Sequence, residues 1–156
     1  MALRRTIVLA TTGAALALAG CGGGGDPSQF AKATDRTCRE VAAAVTTLRQ
    51  DLVRRSGSSE ASALRGAIDG YAGRVDRAAQ GLSQADPPSD ERDFRDGAVS
   101  QLRKHAKLMR DAAARAARGQ VPTSLAAELQ RTGPAAMPKI PKGVLDDAPA
   151  CRAAVR

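Results

Sequence analysis

The stretch ASALRGAIDGYAGRVDRAAQGL, Ala61 to Leu82, places Ala61, Leu64, Ile68, Tyr71, Val75, Ala78 and Leu82 at alternating spacings of three and four. That alternation keeps one apolar stripe on one face of an α-helix, the pattern of a helix packed along its length on neighbours. The same pattern recurs on both sides. Upstream, Cys38, Val41, Val45, Leu48 and Leu52 predict a helix from Thr34 to Arg55, with Ser56-Gly57-Ser58-Ser59 as the turn and N-cap between the two. Downstream, Ala85-Asp86-Pro87-Pro88 stops the helix, because proline lacks the amide proton and excludes its predecessor from helical geometry. Ser89 then caps a third helix, with Asp90, Glu91 and Asp93 in its positive first turn. Phe94, Val99, Leu102, Ala106, Met109, Ala113 and Ala116 face inward, and the helix ends near Gly119. Val121-Pro122-Thr123 opens a shorter fourth helix with Leu125 and Leu129 inward and Gly133-Pro134 as its stop; the proline spacing from there to Pro149 predicts an extended, irregular tail. Short connections between long helices make neighbours antiparallel. The expected fold is all-α: an up-down-up three-helix bundle with a short fourth helix and an irregular Pro-rich C-terminal tail.

Composition narrows the kind of core. The chain has 156 residues, enough for one domain, and carries 33 alanines but only three aromatic residues, Phe30, Tyr71 and Phe94. The core is therefore aliphatic and closely packed, and we expect a compact bundle that encloses no large ligand cavity. The formal net charge is +8, with 19 arginines against 5 lysines. Most of these charges alternate with acids as on a solvated helical surface, and the shortage of stacking aromatics argues against nucleic acid as a partner.

The N-terminus has a different character. Arg4 and Arg5 precede an apolar run from Thr6 to Ala19 that is too short to span a bilayer, and Leu18-Ala19-Gly20-Cys21 follows. This segment resembles the lipobox signal of bacterial lipoproteins: an aliphatic residue, two small ones and a cysteine. The resemblance implies removal of residues 1–20, a diacylglycerol with palmitate-type chains on the Cys21 sulfur, and anchoring at the extracytoplasmic face of a membrane. Two or three acyl chains hold stably where one does not. Residues 21–30 then form the lipidated cysteine with a flexible Gly-rich tether, and 31–156 the helical domain, whose style resembles small helical lipoproteins of unknown function. Losing Arg4 and Arg5 leaves 22 basic and 16 acidic side chains, a net +6.

With Cys21 acylated, two thiols remain, and the compartment beyond the membrane is oxidising. Cys38 and Cys151 are accordingly expected to form a disulfide joining the first helix to the tail. The single histidine, His105, lies beside the seam of the third helix, touching Leu102 and Met109. It has no second histidine and no Glu-x-x-His spacing, so neither a metal centre nor a catalytic constellation is expected, and no cofactor. Two surface features stand out. Arg103, Lys104, Lys107, Arg110, Arg115 and Arg118 make the second half of the third helix a candidate contact for anionic lipid or wall polymer. Gly66, Gly70 and Gly73 share the outward face of the second helix, a candidate docking face for another helix, the tail or a protein partner. The sequence thus reads as a non-enzymatic, membrane-anchored binding or scaffolding protein; the rival reading is a lipid-anchored carrier of a small ligand or metal, which needs a cavity lined by several polar groups.

Overall fold

The computed structural model describes residues 24–54, 60–118, 120 and 137–154. The lipobox with Cys21, the turn at 56–59 and the fourth helix at 121–133 lie outside these residues. Its regular structure is all helical: α1 Pro27–Arg54, α2 Glu60–Ser83, a 3-10 turn Ser89–Glu91, α3 Arg92–Ala116, and two short helices, α4 Lys142–Asp146 and α5 Pro149–Ala154.

Helix α2 lies between α1 and α3 and packs on both. Its position explains a buried surface broader than the expected stripe. Ile68, Tyr71, Val75, Ala78 and Leu82 are buried as the spacing requires, but Ala63, Ala67, Ala72 and Ala79 are buried too, whereas Ala61 is exposed and Leu64 half-buried. At about 100° per residue these buried positions cover roughly half the circumference. One flank of the sector meets each neighbour, and alanine there lets the helices approach closely.

Helix α1 begins a full two turns before the expected Thr34. Asp26 Oδ1 accepts hydrogen bonds from the Ser28 amide at 2.8 Å and the Gln29 amide at 3.0 Å, and Pro27 supplies the first helical residue. Those amide donors hold the Asp26 carboxyl below its ordinary pKa. The extra turns bury Phe30, Ala31 and Thr34, and the Phe30 ring meets Phe94 of α3 edge-on at 6.2 Å. The buried hydroxyls of Thr34 and Thr37 donate to the carbonyls of Phe30 and Ala33.

Within the expected flexible tether, the described residues 24–30 are a correction, since α1 starts at Pro27 and Gly24 and Gly25 are held in place. Gly25 donates its amide to the Pro87 carbonyl at 3.0 Å, and a Cβ on Gly25 would lie 1.9 Å from the Asp86 carbonyl oxygen. Gly24 is equally confined, its would-be Cβ 2.8 Å from the Ser89 nitrogen. Only glycine lets this backbone lie flat on the α2–α3 connection. That connection also departs from expectation: Ser89 makes no side-chain cap, and a 3-10 turn carrying Asp90 and Glu91 precedes α3.

The C-terminal tail is irregular only in part: residues 137–141 have no regular structure, but Lys142–Asp146 and Pro149–Ala154 are helical. It passes α3, with Pro138 packing at Gly97, and continues to α1. Met137, Ile140, Val144, Ala148 and Cys151 are all buried, so this segment contributes to the core. Asp35 of α1 secures its end: Oδ1 accepts the Ala150 amide at 2.7 Å while Oδ2 pairs with Arg39 at 2.7 Å. Beside this cap, Cys38 and Cys151 form the disulfide, with Cα atoms 5.2 Å apart.

Candidate functional site

The six basic residues singled out are all exposed, five on α3 and Arg118 in the turn that follows it. From Arg103 to Arg115 they occupy a sector of about 140° at 100° per residue, on the side turned away from the buried Leu102, Ala106, Met109 and Ala113. They are not equivalent. Lys107 Nζ pairs with Asp111 at 2.7 Å, and this bond holds the Asp111 carboxyl below its ordinary pKa, assisted by Arg115. Arg110 reaches across to Asp76 of α2 and ties the two helices together. Arg103, Lys104, Arg115 and Arg118 are the members whose charge is not committed to an ion pair among the described residues.

A second cationic feature escaped the sequence reading. Between α1 and α2 runs an open groove of about 390 Å³. Its floor is made of small groups, Ala33, Thr37 and Ala44 from α1 and Gly81 from α2. Its rim carries Arg36 and Glu40 on one side and Arg74 and Arg77 on the other. The groove exists because the small residues on both helices leave the interface unfilled, and because the C-terminal segment packs on α1 elsewhere. Arg74 Nη1 lies 3.5 Å from Thr47 Oγ1, and Arg77 folds back over Gly73, its Nη1 3.8 Å from where a Cβ would stand. The sequence shows Arg74 and Arg77 one turn apart, but only the packing of α1 on α2 brings Arg36 opposite them.

Pro27, Phe30, Pro88 and Val144, with Asp90 and Glu91, line a smaller cleft of about 230 Å³ at the end of the bundle where α1 starts. Desolvation, and then repulsion by Asp90, raises the Glu91 carboxyl above its ordinary value, and Glu91 Oε2 is buried without a hydrogen-bond partner among the described residues. No cluster of three or more His, Cys, Asp or Glu side chains placed to hold a metal ion occurs among the described residues.

His105 sits inside the core rather than beside the seam, with 6% of its surface exposed. Its Nε2 is 3.0 Å from the hydroxyl of Tyr71, itself buried, and the rings meet edge-on. The pair links α2 to α3 and satisfies two buried polar groups that would otherwise be costly. On the outward face of α2, Gly66 and Gly70 are exposed and Gly73 half-buried. Nothing among the described residues stands within 4 Å of a Cβ at Gly70, so no described segment docks there. None of the described helices is long and apolar enough to cross a membrane. The chain matches no protein-family model, no curated protein and no solved structure.

Proposed function

We propose that this chain is a lipid-anchored, extracytoplasmic protein without enzymatic activity. In this reading an up-down-up helical bundle carries a cationic surface away from the membrane that holds it. The lipobox-like Leu18-Ala19-Gly20-Cys21 supports the anchor. The observation that carries the orientation is the seating of Gly24 and Gly25 on the α2–α3 connection. Cys21 lies three residue steps before Gly24, at most about 11 Å of extended chain. The acyl chains therefore attach at the end formed by the start of α1, the 3-10 turn and α4. That end displays Asp26, Asp86, Asp90, Asp93, Asp146 and Asp147 against Arg92 and Lys142, a balance that keeps it from lying on anionic headgroups.

Along α3, Arg103 stands about 16 Å beyond Arg92 and Ala116 about 36 Å beyond it. With the bundle upright, these distances exceed the roughly 8 Å over which exposed charges interact at physiological salt. The basic face is thereby offered to an anionic polymer of the cell wall or to an acidic protein partner instead of to the anchoring lipids. Intact-mass measurement of the protein from its native host should show a chain starting at diacylated Cys21. The purified protein should bind anionic wall polymer in a salt-sensitive way and lose that binding when Arg103, Lys104, Arg115 and Arg118 are changed to Gln. An unmodified Cys21 would end the anchoring reading, and unchanged polymer binding by the variant would end the surface reading.

A further inference from the structure

We propose that the groove between α1 and α2 is a binding site for a phosphorylated group that carries an ammonium beside its phosphate, the chemistry of phosphoethanolamine. Three arginines line this one slot from both walls, Arg36 from α1 and Arg74 and Arg77 from α2, against a single acidic residue, Glu40. Arginine offers planar, paired donors that match phosphate oxygens, and an assembly of several such donors favours a phosphate over a carboxylate. None of the three makes an ion pair with a described carboxylate, although Glu40 lies one helical turn from Arg36. Arg74 spends one donor on a long bond to the Thr47 hydroxyl, but no described carboxylate competes with a ligand for the three arginines, and Glu40 is left to receive a positive group next to it. The floor of Ala33, Ala44 and Gly81 gives the slot the depth that a flat basic surface lacks, and the alkyl part of a ligand could lie on it. The site is separate from the basic face of α3 and needs no acylation of Cys21.

The ligand group occurs both in soluble metabolites and polymers and in lipid headgroups, and the test separates these sources. The native protein, purified in non-ionic detergent and isotope-labelled, is titrated with O-phosphoethanolamine and with glycerol phosphate. Saturable amide shifts should appear within residues 33–44 and 74–81, stronger for phosphoethanolamine. Arg74→Gln with Arg77→Gln should weaken binding at least about tenfold, since each lost charged hydrogen bond is substantial. Arg103→Gln with Arg115→Gln should leave it within about twofold, because a distant exposed pair contributes little. Glu40→Gln should erase the preference for phosphoethanolamine. Gly81→Phe, which fills the groove at a position with open space around it and removes no charge, should abolish binding while the circular dichroism stays helical. Binding seen only on phosphatidylethanolamine vesicles, and lost in the Arg74/Arg77 variant, would assign the headgroup as the source. Shifts that map to α3, equal losses in both arginine variants, or no binding to either soluble probe or vesicle would overturn the proposal.

Discussion

Glu91 shows how one side chain's surroundings become a property of the molecule. Its carboxyl is held against the apolar end of the bundle beside Asp90, and both effects disfavour the charged form. A carboxyl whose pKa is higher in the folded than in the unfolded state binds its proton more tightly when folded. The stability this gives is fully present below the ordinary glutamate range and is lost as pH rises through the raised folded value. Glu91→Gln keeps the shape of the protonated side chain and removes the charge. Thermal unfolding should therefore find the variant more stable than the parent at pH 7, with the difference closing toward pH 4. A variant less stable at pH 7 would mean that the ionised carboxylate has a partner that outweighs its desolvation.

At the scale of elements, the start of α1 illustrates how a helix boundary depends on contacts outside the helix. Asp26 caps it, but the cap is presented only because Gly24 and Gly25 lie on the backbone of the α2–α3 connection. A methyl group on Gly25 would meet Asp86 backbone atoms at 1.9 and 2.6 Å, which no side-chain rearrangement relieves. Gly25→Ala should lift the segment away, break the Gly25–Pro87 hydrogen bond and loosen the first turns of α1 around Phe30. Hydrogen exchange should then show lost protection at residues 28–34 and unchanged protection in α2 and α3. Uniform loss across all three helices would show that the seat and the bundle unfold as one unit. The contrast with Gly70 is instructive, since nothing described surrounds it and alanine there should be tolerated.

For the whole molecule, the bridge between Cys38 and Cys151 closes a separation of 113 residues. On the chain-entropy view such a loop stabilises by about 4 to 5 kcal/mol, an upper figure. That is large beside the 5 to 15 kcal/mol typical of a domain, and this core draws many of its contacts from alanine. The bridge also fastens the segment of Met137, Ile140 and Val144 that forms part of the core. Urea unfolding with and without reductant should show a loss of several kcal/mol, reproduced by Cys38→Ser with Cys151→Ser. A shift below about 1 kcal/mol would mean that the buried apolar contacts of the tail hold it without the bridge.

Local periodicity and chain-breaking residues were enough for part of this structure. The inward residues of α3 from Phe94 to Ala116 are all buried, α2 stops before Pro87 and Pro88, and the two cysteines beyond Cys21 are paired. These follow from helical geometry, proline chemistry and a shortage of alternative thiols, none of which requires knowing what packs where. Tertiary structure alone decided the rest. Alanines at 63, 67, 72 and 79 look the same in the sequence whether exposed or buried; only the placement of α2 between two neighbours assigns them to the core. The residues from 137 onward read as a proline-spaced tail, because their apolar groups are too sparse for a periodic signal, yet Lys142–Asp146 and Pro149–Ala154 form short helices against α1. His105 found Tyr71, and Arg36 came to face Arg74 and Arg77, through contacts between helices far apart in the chain. Periodicity tells which face of a helix turns inward, but which faces meet depends on the partner's shape, and so the groove became visible only once α1 and α2 were packed together.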